Sequence, residues 1–271
     1  MLVGHGSGDI DLQRGDSGLF GPQSAAWKVH ADFTTMMIGG IAALLMQMLH
    51  PGALAGVWDH SNFRKDMLGR LRRTAQFIAG TTYGSTEQAE RLIGRVQAIH
   101  DRVAGVLPDG TPYSANDADL LTWVHTAEVA SFLAAYLRYR DPAFPVAEQD
   151  RYLAETAVIA RRLGATSVPT TRAELDAYFQ RMRPQLRSDA RTREVSRALL
   201  TQPAPNPAMA PFGLLMMQGG IDLLPDWAAE MHGLRTTAAP AIRAGVRGVG
   251  SVIRWALRDS SARQARRRVA R

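Results

Sequence analysis

The stretch MMIGGIAALLMQMLHPGALAGVW, residues 36–58, limits the fold more than any other part of the chain. It is the most apolar segment, and its length invites a membrane span. Its first apolar part, however, covers only 14 residues before His50 and already contains Gln47. The His50-Pro51 step then removes a backbone donor and interrupts the helix, whereas a span needs ~20 consecutive apolar residues. The segment reads as a buried core helix, and the rest of the chain must supply the layer that covers it.

That layer is helical as well. No run of alternating apolar and polar residues is long enough to seed a sheet, and no repeat with a period of roughly 20–50 residues is present. Apolar periodicity places helices at about 23–35, 36–49, 66–79, 86–105, 117–139, 146–163, 171–184, 189–200, 208–218, 224–232 and 238–258. Local chemistry marks their ends. Ser24, Ser85, Asp117 and the Thr170-Thr171 pair with Glu174 are N-terminal caps, while Gly105, Gly164 and Gly233 stand where helices should stop. VLPDGTPYSAND is a turn-rich connector with Asp109-Gly110 as its tightest point. The fold class is all-α, a single large multi-helix domain. An extended arm occupies residues 1–21, the helical body 22–235, and a C-terminal helix with a basic tail 236–271. The proline-rich TQPAPNPAMAP makes 212–271 an appendage packed on the body rather than an independent domain.

Cysteine is absent, so disulfides, thiolate catalysis and cysteine-ligated metals are excluded together. Histidine and carboxylates must carry any metal chemistry. The net charge of +7 is local: residues 241–271 hold nine arginines against Asp259 alone, a regional +8, so residues 1–240 carry −1. The body is not a nucleic-acid binder; the tail RDSSARQARRRVAR alone offers weak contact with phosphate or an anionic membrane surface, and otherwise reads as a solvated end. The N-terminus has neither the basic nor the apolar region of a secretory signal, so the cytoplasm is the expected location.

Polar groups on apolar helix faces carry the candidate chemistry. His100 in RLIGRVQAIHDRVAG sits at the edge of the stripe formed by Leu92, Val96, Ile99 and Val103. A buried neutral imidazole without partners costs ~1–3 kcal/mol, so it needs a hydrogen-bond partner or a ligand role. His125 lies on the face Leu121, His125, Glu128, Phe132, Tyr136 of the next long helix, with Glu128 placed to orient its ring or share a metal. His50 either caps helix carbonyls or lines a site with Gly52 and Gly56, whose spacing lets a flat ligand approach the backbone. Arg70, Arg73 and Thr74 share one helical face, which is either solvated or suited to an anionic ligand such as a carboxylate. Nothing distinguishes His5 or His60.

The runs GDSGLFGPQSAAWKVHAD, GGIAALLMQMLHPGALAGVWDHSNF, GRLRRTAQFIAGTTYG, VQAIHDRVAG, YSANDADLLTWVH and VPTTRAELDAYF, in this order over roughly residues 15–230, resemble the mpaB-like and latex-clearing-protein (rubber oxygenase) family. The resemblance implies a distantly globin-like domain that binds haem b, its iron held by a proximal histidine. It implies oxygenase chemistry with dioxygen on an apolar or unsaturated small molecule. His100 is the implied iron ligand and His125 its alternative; the second ring nitrogen would hydrogen-bond a carbonyl or carboxylate. His50, Gly52 and Gly56 would line the haem face. Arg70 and Arg73 would pair propionates or, with Thr74, orient bound dioxygen. The family's Arg-x-x-Lys-Thr motif reads Arg70-Leu71-Arg72-Arg73-Thr74 here, and arginine is a poor iron ligand. Two rival readings stay open. One is a non-haem metal enzyme using His50, His125, Glu128 and Glu155, which lacks paired Glu-x-x-His motifs. The other is a non-catalytic haem- or lipid-binding protein with the methionine-rich stretch 36–48 in its pocket.

Overall fold

A computed structural model describes residues 15–204, 206–236, 238–256, 262, 265–266 and 269. Most of the expected arm, with His5, and most of the basic tail lie outside the described residues. The helices are α1 (Ala25–His30), α2 (Phe33–Gln47), α3 (Pro51–His60), α4 (Phe63–Tyr83) and α5 (Thr86–His100). Strands β1 (Ala104–Val106) and β2 (Pro112–Ser114) follow. Then come α6 (Ala118–Tyr139), α7 (Val146–Leu163), α8 (Arg172–Met182), α9 (Ala190–Leu200), α10 (Ala210–Leu223), α11 (Asp226–His232) and α12 (Ala239–Ala256). The class is all-α, as the periodicity implied.

The anticipated caps operate at most helix ends. Ser85, Asp117 and Thr171 accept the N–H groups of Gln88, Leu120 and Glu174. Gly164 and Gly233 close α7 and α11 in the left-handed conformation. Several boundaries differ from the periodic reading, and three of them have an evident cause. The first expected helix breaks at Ala31, because the Asp32 carboxylate accepts the Thr35 N–H at 2.9 Å and starts α2 at Phe33. After Pro51 the chain resumes as α3, with proline in the first turn, where its missing donor is harmless. α3 leaves α2 at 103°. Finally, α5 stops at His100 instead of 105, and the connector forms a hairpin with Gly105 opposite Tyr113. Gly105 is not a helix cap: a Cβ there would lie 2.8 Å from the Tyr113 hydroxyl, so glycine lets that ring cross the hairpin. Strands of three residues are too short to leave an alternation in the sequence.

The core is an antiparallel pair, α2 against α6. At Gly39 a Cβ would approach Cδ1 of Phe132 to 2.7 Å and its Cα to 3.0 Å, so only glycine permits this contact. At the opposite end the Gln47 amide donates to the Val124 carbonyl at 2.9 Å, and the Trp123 indole donates to the Gln47 carbonyl at 3.2 Å. The one polar residue of the apolar run is thus satisfied inside the core. By length and composition α6 itself could cross a bilayer, yet 67% of its most apolar window is buried in this fold.

α10 and α12 complete the shell and share the core, Met216 and Val246 being fully buried with Ile38. The Asp222 carboxylate accepts from Arg138 at 3.1 Å and from Arg243 at 2.8 Å, and Arg254 pairs with Asp32 at 2.8 Å. Arg243 and Arg254, both on α12, therefore tie that helix to the body. Ala262 and Ala265 are buried with Trp27 and Tyr83, so at these two positions the tail is packed and not a solvated end.

Candidate functional site

A cavity of about 280 Å³ lies among α2, α3, α4, α5, α6 and α9, with Val103, Tyr113 and Ala115 of the hairpin region in its wall. It falls just below the ~300–1,000 Å³ range of ligand pockets. Aliphatic side chains dominate, among them Leu44, Met48, Val57, Leu120, Val124 and Leu199. Its polar groups are Gln47, His60, Ser61, Arg70, His100 and Tyr113. Three of them are already engaged. Gln47 is spent on α6, His60 donates from Nε2 to the Ala104 carbonyl at 3.2 Å, and the Tyr113 hydroxyl donates to Asp59 at 2.7 Å. Burial, with that carboxylate beside it, pushes the Tyr113 phenol up to about 12.

His100 is the last residue of α5 and half-buried. Neither ring nitrogen has a hydrogen bond among the described residues, and Nδ1 is buried. The adjacent carboxylate is taken, since Asn116 donates to Asp101 at 2.8 Å. The orienting bond expected on the ring is not made. Burial lowers the pKa of His100 against the opposing pull of Asp101, which favours the neutral imidazole a metal needs. Gly52 and Gly56 also line the cavity. A Cβ at Gly56 would meet only Val103, at 3.5 Å, so glycine widens the space without relieving any clash.

The arginine motif is divided by its own helix. α4 kinks at Asp66 (φ −141°, ψ 55°). One oxygen of Asp66 accepts the Gly69 N–H at 2.8 Å, and the other accepts from Arg73 at 3.3 Å. Any side chain at Gly69 would strike this carboxylate, a Cβ falling 2.1 Å from Oδ2. Arg73 and Thr74 are exposed, the Thr74 hydroxyl donating to the Arg70 carbonyl, and neither lines the cavity. Arg70 does line it, and no carboxylate pairs with Arg70 among the described residues. Burial and then the nearby Arg73 lower its pKa from the usual guanidinium value.

His50 and His125 are not cavity residues. Nδ1 of His50 accepts the Gly52 N–H at 3.2 Å, capping the start of α3 rather than the end of α2. His125 belongs to a second polar cluster where α1, α4, α6 and α7 meet. In it His30 bonds the Thr82 hydroxyl through Nδ1 and the Tyr152 hydroxyl through Nε2, both at 2.9 Å. Burial lowers His30 to about 3, and burial reinforced by Arg161 lowers His125 to about 4. Nε2 of His125 is buried without a partner. Burial alone raises Glu128 to about 7. Glu155 is engaged elsewhere, accepting the Ala26 N–H and pairing with Arg151. No group of three or more histidine and acidic side chains among the described residues is placed to share a metal ion.

Residues 27–255 match the family described as "ER-bound oxygenase mpaB/B'/Rubber oxygenase, catalytic domain". The chain belongs to this family. No curated protein and no solved structure gives a significant match. Within this oxygenase domain the cavity joins four of the residues singled out in the sequence, His100, Arg70, Gly52 and Gly56. It adds His60 and Tyr113, which the sequence reading passed over. A signal for His60 was present: Gly52, Gly56 and His60 recur at four-residue spacing on one face of α3. Tyr113 carried none, because only the hairpin turns it inward. A half-buried histidine without a hydrogen bond, on an apolar wall thinned by glycines and with one guanidinium that no carboxylate neutralises, offers a ring nitrogen and a positive charge to an anionic, largely apolar ligand.

Proposed function

We propose that this chain is a haem b-dependent oxygenase acting on an apolar or unsaturated small molecule, with His100 as the iron ligand. One observation carries the reading: in the cavity of an oxygenase catalytic domain, the single half-buried histidine that makes no hydrogen bond is His100. Bound haem would supply the means to bind dioxygen and oxidise a carbon–carbon double bond. The protein's share is to anchor, orient and exclude water. His100 stays neutral and offers a ring nitrogen to the cavity. Leu44, Val57, Leu120 and Leu199 desolvate an apolar substrate, a contribution of ~25 cal/mol per Å² of apolar surface covered. Arg70 presents a fixed positive charge, and Tyr113, held by Asp59, keeps its proton at neutral pH.

Absorption spectroscopy of the purified protein, with haem added if it emerges colourless, tests the proposal. A Soret band that survives gel filtration is the expected result. Bound iron without a Soret band would replace haem by a non-haem metal, and the absence of both would leave a binding protein for lipid-like ligands.

A further inference from the structure

The two arginines of the α4 motif face different surroundings, and Asp66 decides which is which. Asp66 receives Arg73 and caps the helix at Gly69, so Arg73 is neutralised on the exposed side. Arg70, one turn earlier, is turned to the cavity and has no anionic partner among the described residues. Three other arginines of the body, by contrast, do meet buried carboxylates: Arg138 and Arg243 pair with Asp222, and Arg254 pairs with Asp32. An enclosed guanidinium against an aliphatic wall gains most from an anion that brings an apolar body with it, because carboxylate and guanidinium match as a two-point hydrogen-bonded pair.

From this placement we infer that Arg70 is the receptor for a carboxylate on the cavity's ligand, which makes that ligand an amphiphile with one acid group and an apolar body. The inference deepens the proposed function, resting on the same cavity but not on iron. A carboxylate can come from two sources, an acid substrate or a haem propionate, and Arg70 would receive either with the same atoms. Asp66 is a positioning residue in this arrangement: by holding Arg73 outward it leaves one cation, not two, for the ligand.

The experiment compares pairs of probes that differ only in the acid group. In the first arm, octanoate and octanol are titrated into the haem-free full chain by calorimetry. In the second, haemin and haemin dimethyl ester are added and the Soret band is followed. Wild type, Arg70→Gln, Arg70→Lys and the exposed control Arg72→Gln are measured in both arms. Arg70→Gln should weaken the acid probe of the relevant pair by about tenfold to hundredfold while leaving the uncharged probe unchanged. Arg70→Lys should recover part of the loss, and Arg72→Gln should behave as wild type. Loss confined to the octanoate arm assigns the carboxylate to substrate; loss confined to the haemin arm assigns it to propionate. If Arg70→Gln still prefers the acid in both arms as wild type does, or if Arg72→Gln loses as much, the inference is overturned. Arg70-dependent octanoate binding in a protein that never takes up haem would reject the haem proposal and leave the inference standing.

Discussion

Two polar clusters sit on the inward side of α6, and they differ in what surrounds them. The cavity holds His100 and Arg70, neither with a partner from the described protein, behind an aliphatic wall. The inner cluster holds His30 bonded on both ring nitrogens, with Tyr152, Thr82, His125 and Glu128 around it and no place in the cavity wall. Both depress histidine pKa values by burial. Depressed basicity therefore does not separate a site from a structural knot; an unsatisfied donor or acceptor next to open volume does.

Substitutions at the two histidines should separate the clusters most sharply. His100→Ala is expected to abolish haem retention, read as loss of the Soret band after gel filtration, while denaturant stability changes by no more than ~1 kcal/mol because no hydrogen bond is lost. His125→Ala should keep the band. A colourless His125 variant beside an unchanged His100 variant would reverse the assignment of ligand and structural histidine.

His30→Ala tests the other side of the comparison. It strands the Thr82 and Tyr152 hydroxyls and leaves a void in the core, an expected loss of about 2–4 kcal/mol in urea unfolding. Octanoate affinity should be untouched, and a variant as stable as wild type would show that this network is no structural knot.

Acid should weaken the fold through the same cluster. His30 and His125, lowered from 6.5 to about 3 and about 4, refuse protons that the unfolded chain takes up. Stability is therefore full above pH 6.5 and falls as pH drops toward 4 and below, by about 2 kcal/mol after allowance for relaxation. Unfolding free energies at pH 7 and pH 4.5 check this. A flat profile in a Glu128→Gln background, where the opposing carboxyl is gone, would mean that the cluster admits water and protons.

Glu128 gives the smallest effect and the opposite sign. Its folded pKa of about 7, against 4.5, means that the native state binds the proton and loses stability as pH rises between these values. Glu128→Gln should remove that opposing slope, a change of about 1 kcal/mol across the window, and so steepen the acid-side loss caused by the histidines. An unaltered slope would place Glu128 in contact with solvent.

The all-α class was legible in the chain because core-facing residues recur with helical period, and Ser85, Asp117, Gly164 and Gly233 signalled ends through short-range hydrogen bonds or backbone freedom. Pairing of His100 with the small-residue face of α3 was legible only as a list of suspects, since sequence spacing speaks within one helix and not between helices. Three matters were settled by how the folded elements meet and not by local propensity. The hairpin turned Tyr113 into the cavity; the Asp66 carboxylate holds Arg73 on the exposed side while Arg70 lines the cavity; and the packing of α1 on α6 and α7 brings His125 within electrostatic reach of His30 and leaves it off the cavity wall. Local propensity and capping act over a few residues, so the sequence carries them openly. Which face of a helix meets a void depends on how all its neighbours fill space, and that information exists only once the chain is folded.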